Sequence, residues 1–329
     1  MAMLKKIKYL LIVSCLFLVS VFSSCSEKKS RPDAEPEIKA SKVPLGDPFI
    51  MLWEDKYYAY GTLSEDGIAV YVSDDLLTWS ISKDASGGLA LNKNNVWGDR
   101  WFWAPEVYHV NGKFYMYYSA NEHICVATSD SPTGPFTQEI QKPMIEDEKC
   151  IDNSLFIDDD GKPYLLFDRF NDGLNIWVAE LEDNLMDIKS GTMRKCINVS
   201  QQWEKVWPRV NEGSFVIKRK GIYYMTYSAN SYESPFYGIG FATANNIFGP
   251  WEKYAGNPVL QKPGNLVGVG HSAIFTDKDG QLRTVFHAHN STTKIHPRHM
   301  YISSISFEMK DGQEILKIDE NFITPKLDK

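Results

Sequence analysis

Cysteine is scarce in this 329-residue chain, dense blocks of one charge are missing, and sustained helical periodicity is absent throughout. Of five cysteines, Cys15 and Cys25 fall in the amino-terminal segment, which leaves Cys125, Cys150 and Cys196. That odd set lacks metal-type spacing and allows at most one disulfide. The three read as small buried hydrophobes, so stability must come from an apolar core, which a chain of this length can build. Without a Lys/Arg block there is no signature of a nucleic-acid surface. The net charge of −7 points the same way, and setting aside Lys5, Lys6 and Lys8 leaves 32 basic against 42 acidic side chains. The lack of a helical period, with Pro and Gly recurring at loop positions, points to an all-β chain.

The amino terminus carries Lys5, Lys6 and Lys8, an apolar run from Tyr9 to Phe22, and Ser23-Ser24 before Cys25. The run is too short for a comfortable membrane span and suits a signal sequence over residues 1–24. It resembles a bacterial lipoprotein signal, which implies lipidation of Cys25. The expectation is an exported protein, periplasmic or at the outer membrane or cell surface, held to the membrane by an N-terminal lipid. Residues 25–42 are polar, contain Pro32 and Pro36, and read as a flexible tether. Residues 43–329 read as one domain, expected to be monomeric.

That domain repeats one pattern five times. A head residue opens a strand, a turn follows, and an aromatic or apolar strand returns. The turn residues are Asp55, Gly112, Gly161, Gly221 and Gly280, at intervals of 57, 49, 60 and 59. A third β run follows each hairpin, and a short outer strand would complete a blade of four. Periods of this size carried by strands point to a five-bladed β-propeller. The heads lie eight or nine positions before each turn residue: Asp47, Ala104, Asp152, Glu212 and His271. Innermost strands line a propeller's axis, so these heads converge at one end of it. Asp47, Asp152 and Glu212 are the residue types that glycosidic hydrolysis requires, one carboxyl protonated and another ionised. Each taken singly also suits a turn or cap. The surplus of Tyr and Trp fits sugar stacking as well as ordinary core packing.

The motifs Gly46-Asp47-Pro48, Trp103-Ala104-Pro105-Glu106-Val107, Ile151-Asp152-Asn153-Ser154, Asn211-Glu212-Gly213 and Gly270-His271-Ser272 together resemble the family 43 glycoside hydrolases. The resemblance runs from about Val43 to Ile305. It implies a five-bladed propeller that removes arabinose or xylose units from plant polysaccharides with inversion. It also implies Asp47 as general base, Glu212 as general acid and Asp152 as the residue that tunes and orients the acid. Trp103 and Ala104 would contact the sugar, as would Arg298. His271 would support a calcium through water or sit as a hydrogen-bonded core residue, and no other cofactor is expected. Trp97, Trp101, Tyr232 and Tyr237 would wall outer subsites. The lack of a C-terminal β-sandwich leans toward arabinofuranose release. β-Xylosidase, endo-xylanase, endo-arabinanase and exo-galactanase activities stay open. So does a different class, a non-catalytic glycan-binding surface lipoprotein, which the presence of all three carboxylates disfavours.

Overall fold

The structure, a computed structural model, describes residues 41–207 and 209–328. The signal segment, Cys25 and the tether as far as residue 40 lie outside the described residues. Apart from three short 3₁₀ turns, the regular elements among the described residues are strands, and they form five sheets arranged as a five-bladed propeller. Blade 1 runs Gly46–Trp53, Lys56–Thr62, Gly67–Ser73 and Thr78–Ile81. Blade 2 has three strands, Trp103–Val110, Lys113–Ala120 and His123–Ser129. Blade 3 runs Cys150–Ile157, Pro163–Phe170, Leu174–Glu180 and Arg194–Ile197. Blade 4 runs Asn211–Arg219, Ile222–Ala229, Gly238–Ala244 and Glu252–Lys253. Blade 5 runs Gly270–Thr276, Leu282–Ala288, His299–Lys310 and Gln313–Ile323.

Blade 2 lacks the expected outer strand. After Ser129 the chain turns through Thr133 to Phe136, which is fully buried and bonds its N–H to Ala90 O at 2.8 Å. Phe136 thereby joins the extra strand Leu89–Asn92 of blade 1, and only Thr137 bridges back to Thr128. Burial of a large aromatic side chain draws the segment off its own sheet.

The ring is closed by the first and last of the described residues. Lys326–Leu327 lies parallel to Thr78–Ile81 at the outside of blade 1. Leu327 N–H reaches Ser41 O at 2.8 Å, and Met300 N–H reaches Val43 O at 3.1 Å. Lys42, assigned to the tether from sequence, bridges Lys326 and donates to the Tyr301 hydroxyl at 2.8 Å. The otherwise open edge of blade 1 is thus covered.

Every innermost strand begins with the same irregularity. In blade 1 the pairing steps from Gly46–Thr62 to Phe49–Tyr60, so Asp47 and Pro48 oppose one residue. The same two-against-one bulge holds Ala104-Pro105, Asp152-Asn153, Gly213-Ser214 and His271-Ser272. The first residue of each bulge is left-handed, with φ of 45° at Asp47, 44° at Ala104, 57° at Asp152, 58° at Gly213 and 50° at His271. Bulges re-aim side chains, and four non-glycine residues held there mark a strained ring next to a site. The ring corrects the sequence register by one residue: the equivalent of Asp47 in blade 4 is Gly213. Glu212 stands one position earlier, level with Gly46, Trp103, Ile151 and Gly270.

Candidate active site

Asp47 is held as an ion. Arg298 donates to both carboxylate oxygens, Nη1 to Oδ1 at 2.6 Å and Nη2 to Oδ2 at 2.8 Å. Thr62 Oγ1–H donates to Oδ2 at 2.7 Å. His271 Nδ1 lies 3.4 Å and His287 Nδ1 3.3 Å from Oδ1. The backbone N–H of Asp47 donates to His287 Nδ1 at 3.1 Å. Burial pushes the carboxyl up, but the Arg298 guanidinium outweighs it and holds Asp47 well below the usual carboxylate range. Burial and Arg298 together push His287 down to about 3, so its ring is neutral and Nδ1 can accept.

Glu212 is held as an acid. Burial raises it to about 7, and nearby Asp47 adds to the rise. The Tyr237 hydroxyl, donating to Oε1 at 2.7 Å, opposes this, as does Arg298. Asp152 sits between the corners, its Oδ2 3.9 Å from His271 Nδ1. Burial, then Glu212 and Asp47, push Asp152 well above the usual range. Behind it lies Asp168, fully buried on the second strand of blade 3, which sequence reasoning missed. Asp168 Oδ2 accepts the Gly213 N–H at 3.0 Å.

Three glycines make room for this arrangement. A Cβ on Gly46 would lie 2.5 Å from the Arg298 guanidinium, and one on Gly270 would lie 2.1 Å from the Tyr237 ring. Two positions level with Glu212 are therefore empty of side chain, and Arg298 and Tyr237 fill them from outside the inner strands. Gly213 combines φ of 58° with a His271 ring 2.9 Å from where its Cβ would be. Only glycine meets both demands without strain.

The remaining expected residues are placed as follows. Tyr237, expected in an outer wall, is fully buried, stacks on His287 at 5.7 Å and serves Glu212. Arg298, expected at the sugar, is committed to Asp47 and lies 4.7 Å from the Tyr232 ring. Ala104 is buried and its N–H donates to Thr62 Oγ1 at 3.0 Å, joining the strained blade 2 head to the Asp47 corner. Trp103 stacks on the exposed Trp101 with centroids 5.5 Å apart, beneath the Arg100 guanidinium. Trp97 packs edge-on against His123. His289 Nε2 bonds the Tyr232 carbonyl at 2.7 Å. Among the described residues no group of three or more His, Cys, Asp or Glu is arranged to hold a metal ion. His271 turns Nδ1 to carboxylates, and calcium favours six to eight oxygen ligands, a set these residues do not supply. Cys125, Cys150 and Cys196 are free thiols.

Comparison with known proteins agrees with this architecture. The sequence profile described as glycosyl hydrolases family 43 matches residues 41–313. A solved endo-1,4-beta-xylanase from Bacteroides thetaiotaomicron VPI-5482 superposes with a TM-score of 0.82 at 47% identity, covering 88% of this chain and 99% of that one. A beta-D-galactofuranosidase of Aspergillus niger is 26% identical over 280 residues, 76% of each protein. An arabinoxylan arabinofuranohydrolase of Paenibacillus polymyxa is 27% identical over 84% of this chain, which spans 51% of that enzyme. The chain belongs to glycosyl hydrolases family 43 and is a glycoside hydrolase.

Proposed function

We propose that the chain is an inverting, exo-acting glycoside hydrolase that removes arabinofuranose or xylose units from plant polysaccharides. One observation carries the mechanism: within a single site Asp47 is held ionised and Glu212 is held protonated up to about 7. Two carboxyl groups pushed apart in this way supply a base and an acid at the same pH. Asp47 takes a proton from the attacking water. A carboxylate has about four acceptor sites. Arg298 and Thr62 fill three of them, leaving one on Oδ1 for that water. Glu212 gives its proton to the leaving glycosidic oxygen. In its ionised form Asp152 keeps that proton in place by its negative charge; burial, Glu212 and Asp47 oppose that form, and the hydrogen bond from Asp168 favours it. No step is assigned to calcium or another cofactor.

Substrate is tested by comparing aryl α-L-arabinofuranoside, β-D-xyloside and β-D-galactoside. Faster turnover of the arabinofuranoside supports the first reading. The 47% identity to an endo-1,4-beta-xylanase favours a second reading, attack on a xylan backbone. Oligosaccharides released from xylan, without free pentose, would replace the first reading with the second. No turnover of any glycoside would leave the glycan-binding class.

The export reading belongs to the same proposal: Cys25 carries a lipid that holds the enzyme at a bacterial membrane. Cys25→Ser is expected to move the protein from the membrane to the soluble fraction. Retention of the variant in the membrane would contradict it.

A further inference from the structure

We propose that Asp168 is a positioning residue that carries its own proton, donating it from Oδ1 to Asp152 while Oδ2 accepts the Gly213 N–H. The proposal rests on the assignment of Glu212 as the acid, and it adds a buried carboxylic acid beneath Asp152 and Glu212.

Asp168 lies on the strand Pro163–Phe170, directly opposite Ile151, the residue before Asp152. Its side chain is fully buried. Oδ2 has the Gly213 donor at 3.0 Å, whereas Oδ1 is buried and accepts no hydrogen bond. An ionised carboxylate oxygen buried without a donor is costly. A protonated carboxyl is itself a donor, and Asp152 is the carboxyl hydrogen-bonded to Asp168. The titratable groups facing Asp168 are Asp152 and Glu212 at the strand heads and the thiols of Cys150 and Cys196. Burial raises both thiols, so they are neutral and add no countercharge. Burial, then Asp152 and Glu212, push Asp168 itself well above the usual range.

The consequence runs through two hydrogen bonds. A donor on Asp152 favours its ionised form. The Asp152 anion then holds the proton on Glu212. Gly213, pinned by Oδ2, fixes the peptide that follows Glu212 at the bulge. Asp168 thus sets the charge of one carboxyl and the backbone of the other without touching substrate.

Two variants separate the proton from the shape. Asp168→Asn keeps a neutral donor toward Asp152 and an acceptor for Gly213. Asp168→Leu keeps only the bulk. In infrared difference spectra above pH 7, wild type should show a buried carboxylic-acid C=O band that Asp168→Asn lacks. In pH–rate profiles, Asp168→Asn should keep the wild-type alkaline limb. Asp168→Leu should move that limb down by about one pH unit as Asp152 becomes protonated. If Asp168→Leu does not fold, the infrared band and the Asn profile decide. The proposal is overturned if wild type lacks the band, or if Asp168→Asn shifts the limb downward. The infrared measurement needs no substrate, so a failure of the catalytic reading would leave this result standing.

Discussion

Asp47 and Glu212 are equally exposed, at 9% each, yet their surroundings drive them to opposite protonation states. Burial alone would push both carboxyls up. At the blade 1 corner a bidentate guanidinium and a hydroxyl donor reverse that push. At the blade 4 corner the direct partner among the described residues is the Tyr237 hydroxyl, and the near neighbours are carboxyls. The difference shows that depth does not decide the chemistry of a carboxyl here; the company it keeps does. Both corners use the same device, a glycine level with Glu212 whose missing side chain admits a residue from outside. Gly46 admits the cation and Gly270 admits the phenol.

The strongest way to break the comparison is to remove either carboxylate. Asp47→Asn and Glu212→Gln should each lower kcat by about 10²–10⁴-fold, the usual weight of a general acid or base. Their stabilities should differ. Asp47→Asn strands the buried Arg298 charge and should cost roughly 3–5 kcal/mol by chemical denaturation, as removal of one partner of a buried pair does. Glu212→Gln removes no cation's partner and should melt close to wild type. Equal destabilisation would contradict the contrast between the corners.

A milder break removes the cation. In Arg298→Met the Asp47 carboxyl loses its main stabiliser, so its pKa rises. The acid limb of kcat/KM should move up by about one to three pH units. An unmoved acid limb would show that Arg298 does not hold Asp47 ionised. The smallest effect is expected at Tyr237. Its hydroxyl favours the ionised form of Glu212, so Tyr237→Phe should raise the alkaline limb by less than about one pH unit. A downward shift would reverse the assigned role.

Much of this was legible before the structure. The repeated hairpin announced five blades because turn residues and apolar runs recur at intervals of 49 to 60 residues, carried by strand patterns. Asp47 and Asp152 were found because they head those hairpins. Glu212 was found one residue out of register, since turns of unequal length in blades 3 and 5 hide a one-residue offset in blade 4. Asp168 was missed because it ends the apolar run Tyr164-Leu165-Leu166-Phe167, where an acid reads as the strand's exit to solvent. Counting back across the hairpin to Ile151 would have placed it under the site. Arg298 and Tyr237 come from loops, and their partners lie 251 and 25 positions away. Only the folded ring brings them to Gly46 and Gly270. Ring closure by Lys326–Leu327 was equally invisible, because a two-residue parallel pairing leaves no periodic trace.

The central claim is that Glu212 keeps its proton because it is buried, with carboxyls beside it, while Asp47 loses its proton because Arg298 grips it. The pH dependence of kcat/KM for wild type and Asp152→Asn tests this most directly. Wild type should give a bell whose acid limb lies below the ordinary carboxylate range and whose alkaline limb lies near 7. Asp152→Asn removes the carboxyl that can carry the charge and keeps the shape. Its alkaline limb should fall, its acid limb should hold, and substrates with poor leaving groups should suffer more than activated aryl glycosides. An alkaline limb that stays in place, with equal loss on both kinds of substrate, would contradict the account.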